Sequence, residues 1–486
     1  METGHGAAPD AAGGNTSGGP GHDRRRRPRT TSGETNMSVD IQGFLNTHPF
    51  SRFQWTIFWL CFAIVLLDGF DTAAIGYIAP SLLAEWGVQR PALAPVLSAA
   101  LFGLAAGALL SGPLADRLGR KTVLVAAVLV FGLASLTSAF SGSLDQLVVW
   151  RFVTGLGLGA AMPNAVTLTS EYCPDSRRSL LTNAMFCGFP LGAASGGFLA
   201  AWMIPQWGWR SVLVLGGVTP LVLTVALLLL LPESVRYMIT KAQPAERIRR
   251  VLSRISASAA EAASFTMTET APAAKASSGA GIVLSKTYLA GSLTLWIAYF
   301  MGLVIFYALI NWMPILFRDA GLEPRTAALI SALFPLGGIG AIFFGWLMDR
   351  FNGNIIIAVG FALTSVAIYA VGLVAGQLSL LMVVVFVAGA LMNTAQSSLP
   401  ALAAEFYPTQ GRATGVAWML GLGRFGGIAG SFLVAELARR EMTFGAIFTI
   451  VAIPGLVAAA ALVIKQIAHP LQRRDRAGQP RQALGH

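Results

Sequence analysis

Apolar residues in this chain come in long blocks, not in the short alternations of half-buried strands or soluble helices. A bilayer-spanning helix needs about 20 mainly apolar residues in a row, and twelve blocks approach or exceed that length. Six cover roughly 55–80, 92–115, 122–141, 144–168, 180–204 and 209–231. Six more cover roughly 289–313, 326–347, 354–375, 378–402, 411–435 and 443–466. The polar stretch 232–288 separates the sets. It opens LPESVRYM, stays basic and helix-compatible to Arg254, and ends as an Ala/Ser/Thr-rich linker. Polar tails, 1–50 and 467–486, flank the blocks; the first is Gly-, Ser- and Arg-rich and is expected to be mostly disordered. The pattern predicts an all-α integral membrane protein with twelve transmembrane helices in two six-helix halves, 51–231 and 289–466.

Composition supports this. Hydrophobic residues make up 55% of the chain and charged residues 12%, against about 25% charged in ordinary soluble proteins. The mean hydropathy is +0.64. A net charge of +11 and a pI near 10.1 would suggest nucleic acid in a soluble chain. Here the positive residues mark topology and no nucleic-acid partner is expected. They gather in the amino tail, the 2–3 loop (Arg117, Arg120, Lys121), the 4–5 loop (Arg177, Arg178), the central loop and the carboxy tail. The positive-inside rule therefore puts both termini in the cytoplasm. Cys61, Cys173 and Cys187 have no CxxC spacing, and the histidines have no metal-ligand spacing. With no P-loop and no nucleophile–base arrangement, neither an enzyme nor a cofactor or metal is expected. No cleavable signal peptide is visible, and Met37 is a second candidate start.

Two aspartates stand out. Asp68 and Asp71 lie inside the first block (WTIFWLCFAIVLLDGFDTAAIGYIAP), where a carboxylate costs several kcal/mol. Their spacing of three places both on one helical face, an arrangement suited to moving protons or cations.

The halves repeat at a shift of about 234 positions. GPLADRLGRK (112–121) answers to GWLMDRFNGN (345–354), and SEYCPDSRR (170–178) to AEFYPTQGR (404–412). Asp116/Asp349, Arg117/Arg350, Glu171/Glu405 and Arg178/Arg412 are charges present in both copies; with Arg120 they are expected to latch helix ends on the cytoplasmic side. The charges inside the blocks have no counterpart. Asp68 maps to Gly302, Asp71 to Ile305, Arg151 to Val385, and Arg424 maps back to Pro190. Matched charges fit scaffold and gate; unmatched ones fit cargo and coupling. Arg151 is expected to pair with Asp68 or Asp71. Arg424, between glycines in MLGLGRFGG, suits a carboxylate through its planar fork, or else is held by backbone carbonyls at a helix break. Tyr307, Asn311 and Trp312 of span 7, with Asn393 and Gln396 of span 10, suit an aromatic, oxygen-bearing solute, although each alone fits packing equally well. The run GLGLG (155–159) contains GxGxG but lies within a span, where close helix packing explains it better than a dinucleotide.

GPLADRLGRK resembles the loop motif of the major facilitator superfamily. LDGFDTAAIGYIAPSL, RFVTGLGLGAAMPNAVTLTSEY, MFCGFPLG, LPESVRY, FMGLVIFYALINWMP and EFYPTQGRATGVAWMLGLGRFGG resemble its aromatic acid:proton symporter branch, especially its 4-hydroxybenzoate/protocatechuate permeases. The resemblance implies the major facilitator fold and a monomer in a bacterial inner membrane. It also implies proton-coupled import of an aromatic carboxylate by alternating access. The family's acidic pair then falls on Asp68 and Asp71, its loop acid on Asp116, its span-4 arginine on Arg151 and its late arginines on Arg412 and Arg424. The second loop copy, DRFNGN, lacks the basic ending of the first, which implies weaker gating in that half. An exporter or antiporter is the alternative, suggested by GFPLGAASGG in span 5; a non-transporting sensor is a third reading.

Overall fold

The computed structural model describes residues 38–262, 264–266, 279–340 and 351–470. Backbone polar groups have no water to bond within a bilayer, so the apolar blocks must close their hydrogen bonds internally as helices. In the first half these are α2 (Arg52–Trp86), α3 (Ala94–Leu118), α4 (Arg120–Ser138), α5 (Leu144–Glu171), the pair α6 (Asp175–Phe186) and α7 (Gly188–Trp207), and α8 (Arg210–Leu230). The second half has α12 (Leu289–Asp319), α13 (Pro324–Leu336), α14 (Gly353–Leu373), α15 (Leu378–Phe406), α16 (Thr409–Arg439) and α17 (Phe444–Ala468). Ten spans among the described residues are long and apolar enough to cross a membrane. The remaining two are α5, which is long but more polar, and α13. Beyond α13 a 3-10 turn follows at Gly337–Gly340, and residues 341–350 lie outside the described residues.

Helix ends follow caps, not bilayer thickness. α2 runs well past both limits of the apolar block 55–80. Ser51 starts it with a capping box, in which the Ser51 hydroxyl accepts from the Gln54 N–H and Gln54 Oε1 accepts from the Ser51 N–H. Gly87 stops it at φ +63°, its N–H closing on the Leu83 carbonyl.

Residues 38–50 form two short elements beside the helical bundle. The strand β1 (Ser38–Asp40) pairs in parallel with β2 (Ser264–Thr266), and α1 (Ile41–Thr47) buries Ile41, Phe44 and Leu45. The apolar spacing that makes that face lies within MSVDIQGFLN. The disorder expected before Ser38 falls outside the described residues. The central loop also carries α9 (Val235–Thr240), α10 (Ala245–Leu252) and α11 (Gly279–Val283), with Ile248 and Leu252 of α10 buried.

β1, the central loop and the last turn of α17 share one side, here the termini side. On the opposite, far side the halves meet through α2–α12, α7–α13 and α3–α16, and the 3-10 turn Arg90–Leu93 also packs on α16. A methyl group at Gly76 of α2 would sit 2.5 Å from the Ile310 carbonyl oxygen of α12. Towards the termini side the packing opens. Asp116, Arg117 and Leu118 at the end of α3 are exposed, as are Glu405 and Arg412, and no atom lies within 4 Å of a methyl at Gly112 or Gly421. The halves are therefore closed on the far side.

Candidate functional site

The GLGLG run brings α5 into backbone contact with its neighbours. Methyl groups at Gly155 and Gly159 would lie 2.1 Å from the carbonyl oxygens of Ala100 and Leu104 on α3, and one at Gly157 would lie 2.7 Å from that of Ala127 on α4. This is helix packing by small residues, with no strand or βαβ unit around it. It seats Arg151 in the middle of the first half, where Nη1 donates to Asp71 Oδ1 at 2.8 Å and Nη2 to the Asp71 carbonyl at 3.3 Å. Ser135 of α4 adds a hydroxyl to the same carboxylate oxygen at 3.3 Å. The side chains are 0% and 1% exposed. Arg151 thus chooses Asp71 over Asp68.

Asp68, one turn earlier, is almost without partners. Among the described residues only the Thr72 hydroxyl bonds it, at 3.5 Å. Its charged neighbours are Asp71 and, from the other half, Arg424. Arg424 is half-buried and has no hydrogen-bond or ion-pair partner among the described residues. No helix break holds it, since α16 is continuous from Thr409 to Arg439. The glycines beside it instead receive span 7: Gly423 faces the Tyr299 ring, Gly427 the Tyr307 ring, and Gly426 and Gly430 the backbone carbonyls of Phe300 and Val304. Both tyrosines lie in the field of Arg424, and Tyr307 in that of Asp68 as well.

The five side chains expected to face a solute divide. Tyr307 lines a small cavity with Thr72, Arg151 and Asn311. Asn311 also donates to the Ser431 hydroxyl at 2.9 Å. Trp312 is fully buried, and its indole N–H donates to the Ser431 carbonyl at 3.0 Å. Asn393 donates to the carbonyls of Gly389 and Phe334, tying α15 to α13. Gln396 donates to the Tyr299 carbonyl at 3.3 Å and leaves Oε1 without a hydrogen bond among the described residues. Sequence reasoning missed Phe189, from GFPLG on α7, whose ring stands 6.0 Å from Phe306 across the halves. Phe306 in turn touches the rings of Tyr307 and Phe334. Thr72 was also missed; its one signal is its place a turn beyond Asp68.

The Major Facilitator Superfamily profile matches residues 61–363 and 295–485. The chain is 52% identical over 429 residues to the 4-hydroxybenzoate transporter PcaK of Pseudomonas aeruginosa, covering 88% of this chain and 96% of the relative. It is 46% identical over 426 residues to the gallate transporter of Pseudomonas putida, covering 87% and 94%. The chain belongs to the major facilitator superfamily. Among solved structures, the inward-open xylose transporter XylE of E. coli matches with a TM-score of 0.67 at 18% identity, over 84% of this chain and 95% of that one. That likeness speaks to the fold, which is the major facilitator fold. The protein is a multi-pass membrane protein of a transporter family, not an enzyme.

On the termini side, the inter-helix ion pairs made within the set expected as latches centre on Arg120 among the described residues. Arg120 Nε bonds Glu171 Oε1 at 3.0 Å, while Asp116 reaches Arg120 only at 3.7 Å and is 75% exposed. Arg178 pairs one turn away with Asp175 at 2.9 Å. Arg117 contributes its carbonyl to the Tyr237 hydroxyl. Glu405 and Arg412 make no ion pair among the described residues, because the ends of α15 and α16 are exposed there. Asp349 and Arg350 lie outside the described residues.

The acid that organises the first half's loop is one the sequence did not single out. Glu233 Oε1 accepts from the N–H groups of Arg120 and Lys121, capping α4, and from that of Ser234. Gly119 makes this possible. Its φ is +97°, and a methyl there would meet Glu233 Oε2 at 2.3 Å. Ser234 completes the cluster by donating to Glu171. Glu233→Ala should therefore lower stability by about 1–2 kcal/mol, the usual worth of a lost cap, and Glu233→Gln by less. Thermal unfolding of the solubilised protein measures both.

The missing base of the second loop copy is supplied from elsewhere. Asn354 stands at the repeat position of Lys121, and its Oδ1 accepts from Lys465 of α17 at 2.9 Å. That ammonium is fully buried, 4.6 Å from the Phe406 ring centroid, with Glu405 as its acidic neighbour. The second half thus replaces a loop lysine with a lysine from its last helix.

Proposed function

We propose that this protein imports hydroxylated aromatic carboxylates, such as 4-hydroxybenzoate or protocatechuate, together with protons by alternating access. The observation that carries the reading is Arg424, a half-buried guanidinium facing Asp68 with no partner of its own among the described residues. A permanent cation between the halves favours an anion, and its planar fork suits a carboxylate. Tyr299, Tyr307 and Phe306 offer rings for an aromatic body, and the curated relatives include transporters for 4-hydroxybenzoate and gallate.

Coupling follows from the difference between the aspartates. Asp71 is bonded to Arg151 and Ser135, leaving Asp68 to take up and release the proton. Substrate at Arg424 competes with Asp68 for the same positive charge. An empty site favours the carboxylate at Asp68, and a bound anion favours the neutral acid, so the two loads move together. Asn311, Asn393 and Gln396 complete the polar wall. Arg120, Glu171, Arg178, Asp116, Arg117, Glu405 and Arg412 belong to the side that closes when the far side opens. The wider excess of Lys and Arg on that side supports its being cytoplasmic, with both termini; the membrane is a bacterial inner membrane and the protein works as a monomer.

Uptake of labelled 4-hydroxybenzoate into vesicles, with and without an imposed pH gradient, tests the proposal. Gradient-driven accumulation is expected, with competition by protocatechuate and other ring-hydroxylated benzoates and little by uncharged phenols. Accumulation indifferent to pH, or equal competition by uncharged phenols, would overturn it.

A further inference from the structure

The far-side ends of α2 and α12 occupy matching positions in the repeat, and each carries one carboxylate, Glu85 and Asp319, related by the 234-residue shift. Their partners differ. Glu85 accepts from Trp209 Nε1 and Arg210 Nη1, both at 2.6 Å, and all three belong to the first half. Asp319 reaches across the halves instead and bonds Arg90 Nη2 at 2.8 Å. Beside it, Arg318 donates to the Pro80 carbonyl of α2, a second contact across the halves. Below both, Gly76 lets α2 and α12 approach to backbone contact.

We infer that Arg90–Asp319, together with Arg318 on the Pro80 carbonyl, is the gate that holds the far side shut. Rigid halves that rock must break every contact spanning them and keep every contact within one. The Glu85 cluster survives the movement, whereas the Asp319 and Arg318 contacts must open. Glu85 is accordingly an internal control, with the same repeat position, the same helix end and the same charge but no part in gating. Of the far-side arginines, Arg90 and Arg318 thus belong to the gate and Arg210 to a strut within the first half. This inference rests on alternating access and is independent of the cargo.

The test uses the full chain with Cys61, Cys173 and Cys187 replaced by Ser and a reporter, Ala79→Cys, on α2 between the gate and the site. A membrane-impermeant maleimide is applied to intact cells and separately to inside-out vesicles. Asp319→Asn and Arg90→Gln should speed labelling from the far side by roughly two- to fivefold, the range for a partly exposed ion pair. Glu85→Gln should leave the rate at the parent value. The charge swap Arg90→Asp with Asp319→Arg should return it towards the parent value, which separates gating from misfolding. Unchanged rates in Asp319→Asn and Arg90→Gln, or equal acceleration by Glu85→Gln, would overturn the gate. If only the membrane orientation proposed above is wrong, the same pattern appears with the two preparations exchanged.

Discussion

Asp68→Asn should abolish accumulation against a gradient while leaving the protein folded and able to exchange cargo. The asparagine mimics the protonated acid and removes only a 3.5 Å contact with Thr72. Loaded exchange, which needs no net proton movement, should persist. Asp71→Asn is expected to behave differently. It strips the partner from Arg151, which is fully buried, and losing one member of a buried pair costs about 3–5 kcal/mol. Asp71→Asn should therefore lower the unfolding temperature of the solubilised protein, and the double variant Asp71→Leu with Arg151→Leu should recover most of it, since the stranded charge is gone. Uptake under a pH gradient, counterflow and thermal unfolding distinguish the two. If Asp68→Asn still accumulates cargo in response to pH, Asp68 is not the coupling acid.

Arg424→Gln should weaken binding of an aromatic carboxylate by roughly 10- to 100-fold, the worth of a hydrogen bond to a charged group. Its amide or methyl ester should bind the variant about as it binds the parent protein. Arg424→Lys should fall between, because an ammonium keeps the charge and loses the planar fork. Competition binding in detergent measures all of these. Equal loss for the acid and its neutral analogue would make Arg424 a structural residue. The glycines facing Tyr299 and Tyr307 make that outcome a real one, since a shift of α16 would disturb both rings.

Much of the fold was legible because a bilayer leaves few choices. An apolar block of sufficient length must form a helix, and twelve such blocks in two related sets imply two related halves. The misses have local causes. The strand Ser38–Asp40 has too few residues to show a period, and its partner lies more than two hundred residues away at Ser264–Thr266. Hydropathy starts span 5 near 180, whereas α6 begins at Asp175, directly after Pro174, where the Asp175 N–H bonds Asn46 Oδ1 at 2.9 Å. The sequence leaves Trp312 between solute contact and packing, because aromaticity in a cavity-lining span cannot be told from aromaticity in a packed one.

The sequence by itself determined the membrane class, the repeat and the identities of the unmatched charges, because these depend on composition and spacing along one chain. It could not decide which aspartate Arg151 would hold, that Glu233 would cap α4, or that Lys465 would stand in for the base absent at Asn354. Nor could it separate Glu85 from Asp319, two carboxylates at one repeat position with opposite roles. Only the tertiary structure decided these, for a physical reason. A charge inside a membrane protein is defined by its nearest partner within a few ångströms, and that partner comes from a helix tens or hundreds of residues away.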